Sequence, residues 1–174
     1  MDENDDWCFM KIKDKADFCS QSIDTYSTQL VSVCNRFGFL CIAKDNQVVV
    51  CPSDQIQDLL QGKLPSSVIQ KTEPVTHVAI NESGSSVAVA TPSSLAVHSP
   101  KNTQSPLWQE NLTDKVKHLE WKSKKLGVLF QSQNLHFYED KNRLPVNFTN
   151  IAAFAFKSSS ECVAGQSGNL VILD

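Results

Sequence analysis

The sequence lacks a long hydrophobic run. Its longest apolar stretches have the length of a strand, as at 47–51, whereas a membrane-spanning helix needs about 18 apolar residues. The amino terminus, 1–6, is acidic, whereas a secretory signal starts with basic residues and continues into an apolar segment. These absences predict a chain that neither inserts into a membrane nor is exported.

The sequence also lacks an excess of positive charge. It has 16 Lys and Arg against 19 Asp and Glu, a net charge of −3, so no chain-wide attraction draws it to nucleic acid. One basic stretch could bind an acidic partner or RNA, although a solvated hairpin turn is the favoured interpretation. We therefore expect no direct contact with nucleic acid. The stretch consists of Lys115, Lys117, Lys122, Lys124 and Lys125.

Motifs for metal, nucleotide and covalent chemistry are missing as well. The six cysteines form no C-x-x-C pair and no Cys–His cluster with zinc spacing, so we expect small buried apolar residues or inert surface thiols. No glycine-rich phosphate loop and no G-x-S-x-G nucleophile elbow is present. The sequence thus predicts a non-enzyme with no catalytic, cofactor-binding or metal-binding residue, no cofactor and no small-molecule substrate. The cysteines stand at positions 8, 19, 34, 41, 51 and 162.

Four related copies of one pattern account for most of the chain: strand, turn, strand, turn, strand. First strands begin at Leu30, Val75, Val116 and Ile151, with spacings of 45, 41 and 35 residues. These spacings are near the ~40–45 residues of a four-stranded propeller blade. The strands are expected at 30–33, 37–43 and 47–51; at 75–80, 86–90 and 95–98; at 116–121, 126–130 and 134–138; and at 151–156, 162–165 and 170–173.

Other segments predict weaker elements. Outer strands are expected at 107–109 and 146–148, where a blade edge meets solvent. Residues 53–62 predict a short helix or turn, with Ser53 as the candidate N-cap and Gly62 as its end. Residues 7–12 alternate weakly, as expected of a strand that closes a propeller ring by joining its last blade.

Two residue patterns invite a functional interpretation that we set against a structural one. His77 and His118 share a first-strand position, and His98 and His136 share a third-strand position. No Cys or carboxylate recurs beside either pair, so we expect strand or turn hydrogen bonds rather than a metal or catalytic site. Phe37–Gly38 is a single Phe-Gly pair inside a predicted strand, which we assign to core packing rather than to a transport-receptor motif.

The copies are similar to WD40 repeats, in which an apolar strand ends in an aromatic residue and a third strand closes on an acidic or aromatic one. The Gly-His and Trp-Asp dipeptides of regular WD40 blades are absent. The predicted fold class is therefore all-β, a degenerate WD40-like β-propeller at 27–174 with about four blades of a seven- or eight-bladed ring, preceded by an acidic tail at 1–26. The template positions are occupied by Trp121, Phe156, Tyr138, Glu139 and Asp174.

The particular pattern resembles the amino-terminal propeller of the nucleoporin 214/159 family. The resemblance implies a non-catalytic docking scaffold at the cytoplasmic face of the nuclear pore, which supports mRNA export by binding a DEAD-box RNA helicase and other nucleoporins. The family's helicase-binding loops lie in later blades, so no partner-binding residue is transferred. The stretches that carry the resemblance are 9–12, 35–40 with 45–50 and 55–60, 116–121, and 151–174.

Two other functions remain open at this point. A WD40-type adaptor outside the pore would use the same kind of surface, whereas a propeller enzyme such as a hydrolase would bring carboxylates or histidines together at the central channel. Four copies that stop after a third strand would also leave a blade face and a sheet edge exposed. We therefore expect this chain to be marginally stable or to associate with itself.

Overall fold

Four antiparallel sheets follow one another along the chain. The computed structural model describes residues 28–61, 63 and 67–173. In each sheet the strands pair in chain order, with four strands in sheets 1 to 3 and three in sheet 4. Sheet 1 comprises β1 (Val31–Cys34), β2 (Phe39–Lys44), β3 (Gln47–Pro52) and β4 (Val68–Gln70). Sheet 2 comprises β5 (His77–Ile80), β6 (Val87–Ala90), β7 (Ser94–His98) and β8 (Trp108–Asn111).

The second half of the chain repeats the arrangement. The first strand of each sheet starts within two residues of the position that the repeat pattern predicts. Sheet 3 comprises β9 (Val116–Lys122), β10 (Lys125–Phe130), β11 (Leu135–Glu139) and β12 (Asn142–Phe148). Sheet 4 comprises β13 (Ile151–Phe156), β14 (Cys162–Gln166) and β15 (Asn169–Leu173).

The sheets stack face to face, with an apolar cluster between each consecutive pair. Val48 of sheet 1 packs in one cluster with Val78 of sheet 2, and Leu95 of sheet 2 packs in the next with Leu126 of sheet 3. A third cluster joins sheet 3 to sheet 4. Every residue of β5 and β6 is buried because sheet 2 is covered on both faces, which explains why these strands are apolar throughout instead of alternating.

The first strands of the four sheets lie side by side. β1 is next to β5, β5 is next to β9, and β9 is next to β13. The side chain of Gln29 joins three of these sheets, because its Nε2 donates to the carbonyl oxygens of Val78 and Leu119, each at 3.1 Å, while its backbone N donates to Thr76. The sheets therefore radiate from a common inner wall, with their last strands outermost.

The outer strands are confirmed, but the predicted bounds are too short. β8 ends at Asn111, and β12 begins at Asn142, directly after a two-residue turn. Both turn residues, Asp140 and Lys141, have positive φ (45° and 78°), as a type I′ hairpin turn requires. This tight turn lets pairing start four residues earlier than the apolar pattern 146–148 indicates.

The helical segment after β3 is confirmed, although its predicted cap is wrong. Ser53–Gln55 forms a 3₁₀ turn and Ile56–Leu60 a short α-helix, α1, whose N-cap is Gln55 with no side-chain hydrogen bond. Ser53 instead lies against Gly38, whose carbonyl oxygen accepts a hydrogen bond from the Ser53 backbone N at 2.6 Å. No helix among the described residues is long and apolar enough to span a membrane.

The strand register shows which histidines occupy equivalent positions in their sheets, and it corrects one of the two predicted equivalences. His77 and His118 are equivalent, since their partners Ala90 and Leu129 occupy matching positions in β6 and β10. His98 and His136 are not equivalent. His98 pairs with Val87, the counterpart of Leu126, whose own partner in β11 is Tyr138. The alignment based on the apolar pattern was therefore wrong by two residues in the third strands. Because side chains alternate with a period of two, a two-residue shift keeps each one on the same face of the sheet, so the apolar pattern does not reveal the error.

Among the described residues, nothing covers one face and the outer edge of sheet 4. Leu170 and Ile172 are 79% and 58% exposed. On sheet 1, Val31 and Val33 are each 55% exposed. Within the described part of the chain β15 has no neighbour on its outer side. The predicted ring-closing strand at 7–12 lies outside the described residues, as do Gly62 and Asp174.

We expect the 174-residue chain to self-associate through sheet 4. Replacing Leu170 and Ile172 with lysine should shift the chain toward monomer in analytical ultracentrifugation, because charged side chains oppose pairing of exposed apolar edges. Val146→Lys is the matched control, since Val146 is 46% exposed on β12 of sheet 3. A chain that is already monomeric and melts in one sharp transition would contradict this expectation.

Candidate protein-interaction surface

Hairpins of three consecutive sheets meet at one end of the stack and enclose a groove of about 560 Å³. The β1–β2, β5–β6 and β9–β10 hairpins contribute, together with the β11–β12 turn and the start of β8. We call this the rim groove and define it by ten of its lining residues. These are Arg36, Phe37, Glu82, Val97, Leu107, Trp108, Trp121, Lys124, Asp140 and Lys141.

The apolar part of the rim groove is both accessible and fixed in place. Phe37 is 51% exposed and Leu107 is 45% exposed. Trp108 stacks on Tyr138, with ring centroids 5.3 Å apart and planes at 20°, and the indole Nε1 of Trp121 donates to the carbonyl oxygen of Ala79 at 3.1 Å. Held aromatic rings beside exposed apolar side chains are typical of the energetic centre of a protein interface.

Phe37 corrects the sequence interpretation. It lies in the turn between β1 and β2, not in a strand, and half of its surface is open to solvent instead of being packed in the core. The signal was the following Gly38, which has a φ of 62° and so adopts a left-handed turn conformation. Sequence reasoning also assigned Leu107 and Trp108 only to an outer strand, and it named no partner-binding residue.

Side-chain hydrogen bonds hold the β5–β6 hairpin together. The buried side chain of Asn81 accepts hydrogen bonds at its Oδ1 from the backbone N of Ser85 (2.9 Å) and Ser86 (3.1 Å). Gly84 has a φ of 64°, and a Cβ there would lie 2.8 Å from the ring of Phe39. The hairpin thus packs tightly against sheet 1, and the wall of the rim groove is rigid.

Positive charge predominates among the unpaired groups of the rim groove. Glu82 forms an ion pair with Lys122 at 2.8 Å, and this hydrogen bond lowers the pKa of the Glu82 carboxyl. Arg36, Lys124 and Lys141 form no ion pair with any described residue. Against these three cations the groove offers one further carboxylate, that of Asp140.

The fold places the lysines of the basic stretch in different environments. Lys122 is paired with Glu82, the ammonium of Lys117 donates to the carbonyl oxygen of Ala152 at 2.7 Å, and Lys125 lies 5.8 Å from the ring centroid of Phe137. Lys124 is exposed at the tip of the β9–β10 hairpin, as a solvated turn predicts. The five lysines therefore do not form one continuous basic patch.

His77 makes the structural hydrogen bond expected of it. It is buried in β5, and its Nε2 donates to the carbonyl oxygen of Lys117 in β9 at 3.1 Å, which joins sheets 2 and 3. Burial lowers the pKa of His77 to about 4, so its ring is neutral near pH 7. His118 lies 3.8 Å from Glu120 and edge-on to Phe154.

The cysteines of the described region are buried thiols, as expected for Cys34, Cys41, Cys51 and Cys162. Burial raises the pKa of Cys41 to about 12 and that of Cys162 to about 11. Thiols with raised pKa values are poor nucleophiles and poor metal ligands. Among residues 28–61, 63 and 67–173, no group of three His, Cys, Asp or Glu side chains could hold a metal ion.

A second cavity, of about 360 Å³, lies along the inner wall beside Gln29, Ser32 and Leu119. Cys34, Arg36, Glu82 and Glu120 also line it, and Glu82 is paired with Lys122.

Comparison with known proteins identifies the architecture. No protein-family model matches the chain, and no curated protein matches it significantly. Among solved structures, the Cps50 (Swd1) β-propeller domain of Myceliophteria thermophila matches with a TM-score of 0.66 and 12% identity, over 90% of this chain and 54% of that one. The described residues have the fold of a WD40-like β-propeller. Their four sheets are blades, and the predicted all-β propeller class is confirmed.

Two further solved structures involve a nucleoporin. The N-terminal domain of Nup159 matches with a TM-score of 0.59 and 15% identity, over 86% of this chain and 44% of that one. A chain in the S. cerevisiae complex of Dbp5 bound to Nup159 and Gle1, with IP6 and ADP, matches with a TM-score of 0.62 and 15% identity, over 87% and 44%. The propeller thus spans about half the length of the structures it matches.

Proposed function

We propose that this propeller is a non-catalytic docking scaffold of the nuclear pore complex. In this proposal it lies at the cytoplasmic face of the pore and supports mRNA export and nucleocytoplasmic transport by binding a DEAD-box RNA helicase and other nucleoporins. The main support is the structural similarity to the Nup159 N-terminal domain, which extends over 86% of the chain. The described surface adds a groove with the apolar and charged character of a protein-binding site.

The chemistry of the surface favours protein partners over a substrate. The rim groove combines exposed Phe37 and Leu107 with unpaired cations, a mixture typical of a protein interface. The buried histidines and cysteines serve packing and hydrogen bonding between blades, so no role in catalysis is proposed for them.

Because the family's helicase-binding loops lie in later blades, helicase binding by this chain would have to use the surface of its four described blades. Binding of a purified Dbp5-type helicase to the full chain tests this part of the proposal. We expect saturable binding that weakens as salt is raised, and no binding of a DEAD-box helicase that acts outside export. A tagged chain should also concentrate at the nuclear rim in cells. A diffuse distribution together with absence of helicase binding would refute the pore assignment.

A WD40-type adaptor outside the pore is the second candidate. One observation supports it: the fold similarity is not specific to nucleoporins, since the Swd1 propeller (TM-score 0.66) and the two nucleoporin structures (0.62 and 0.59) match at comparable levels. Recovery of ubiquitin-ligase or signalling components, without an export helicase or pore proteins, in a pull-down from cell extract would support the adaptor.

A further inference from the structure

We propose that the rim groove binds an extended acidic segment of a partner protein, anchored by one large apolar side chain. The inference rests on the docking function proposed above and adds to it the place and the chemistry of binding. It does not depend on which assembly the partner belongs to. Three features of the groove carry it: its apolar wall, its unpaired charges and its rigidity.

The apolar wall accounts for the anchor. Phe37 and Leu107 expose about half of their surfaces inside a concave site, beside the rings of Trp108 and Trp121. Covering such surface gains about 25 cal/mol for each Å² removed from water, so a leucine or phenylalanine of the partner would supply much of the affinity. A small inorganic or inositol phosphate could not use this wall.

The charges account for the acidic character. Arg36, Lys124 and Lys141 come from three different hairpins, and within the described residues none of them has an ion-pair partner. The guanidinium of Arg36 also lies 5.4 Å from the ring centroid of Phe37. Glu82 is paired with Lys122, so the groove sets these three cations against one further carboxylate, that of Asp140. This local excess of positive charge stands out in a chain whose net charge is −3. Carboxylates on both sides of the anchor would meet these cations.

The groove requires little ordering before it binds. The Asn81 hydrogen bonds hold the β5–β6 hairpin, Trp121 is held by Ala79, and Trp108 lies against Tyr138. A preformed site loses less conformational entropy on binding than a mobile one, which suits capture of a flexible segment. An extended segment fits because the groove runs across hairpins of three blades.

Fluorescence anisotropy with a labelled synthetic peptide tests the proposal on the full chain. The probe alternates Asp and Glu with Leu and Phe, and a control probe carries Asn and Gln in place of the acidic residues. We expect the acidic probe to bind at least about tenfold more tightly at low salt. Lys124→Glu combined with Lys141→Glu should weaken binding about tenfold, and Leu107→Ser should do the same through the lost apolar contact.

Two matched variants control for these changes. Lys44→Glu reverses an exposed lysine in β2 at the β2–β3 hairpin, at the opposite end of sheet 1 from the groove. Val146→Ser truncates a side chain that is 46% exposed, against 45% for Leu107. Neither should change the affinity by more than about twofold.

Several outcomes would overturn the inference. Equal binding of the acidic and amide probes would exclude an acidic ligand, and equal losses in Lys44→Glu and the groove variants would exclude the site. Binding of inositol hexakisphosphate at the groove without binding of the peptide would identify a small polyanion, and not an acidic peptide, as the ligand. If the peptide binds as expected while the chain neither binds the export helicase nor concentrates at the nuclear rim, the groove proposal stands and the pore function fails.

Discussion

Acidification from about pH 7 to about pH 4 is expected to remove several kcal/mol of the propeller's free energy of unfolding. His77 and His98 are 1% and 2% exposed, and burial lowers the pKa of each from 6.5 to about 4. The unfolded chain therefore binds protons at these sites at a higher pH than the folded chain. Their stabilising contribution is complete above about pH 6.5 and is lost as the pH falls toward about 4.

The loss should reach about 3 kcal/mol for each histidine, because this is the free energy that corresponds to lowering the pKa from 6.5 to about 4. Lys71 donates from its ammonium to Nε2 of His98 at 2.9 Å, and a protonated His98 would face that cation directly. For His77, the imidazolium would be buried between blades 2 and 3. His136, beside Arg143 at 3.0 Å, also has a pKa lowered to about 4, and being less buried it should contribute less.

Urea unfolding across this pH range measures the effect. The double variant His77→Gln, His98→Gln keeps a donor for Lys117 and an acceptor for Lys71 but cannot titrate, so its stability should vary much less between about pH 6.5 and pH 4.5. The hydrogen bond from Lys122 lowers the pKa of the Glu82 carboxyl, and this group is present in both proteins. An identical pH slope in the parent and the double variant would show that other groups cause the acid sensitivity.

Replacing Gly127 with alanine is expected to lower the free energy of unfolding by about 2 kcal/mol. Gly127 lies in β10, and a Cβ there would be 2.5 Å from Cε2 of Phe154 and 3.3 Å from Cε1 of Phe137. The ring of Phe154 packs between those of Phe137 and Phe156, with centroids 6.3 and 5.8 Å away, so moving it disturbs both aromatic contacts. The contact between blades 3 and 4 would have to open.

Gly165 in β14 provides the matched control. A Cβ on Gly165 would meet nothing within 4 Å, so Gly165→Ala should be neutral or slightly stabilising. Combining Gly127→Ala with Phe154→Leu should recover part of the loss, because the smaller side chain makes room for the added methyl group. Equal urea midpoints for the Gly127→Ala and Gly165→Ala variants would contradict the close packing described here.

The repeat pattern predicted most of the fold, and each wrong prediction about an element boundary has a local physical cause. The first strands were placed to within two residues because each is a short apolar run bounded by polar turns. The misplaced N-cap at Ser53 reflects competition from a tertiary contact with Gly38. The start of β12 was missed because Asn142 and Arg143 pair through the backbone, which their polar side chains do not reveal.

By itself the sequence determined the four antiparallel sheets and their order, because alternation, turn residues and hairpin pairing act between neighbours in the chain. Only the tertiary structure decided which side chains meet across blades. The rim groove collects Phe37, Leu107 and Lys141 from three sheets, and its shape follows from how those sheets stack. Stacking depends on packing between residues far apart in sequence, so no local pattern records it.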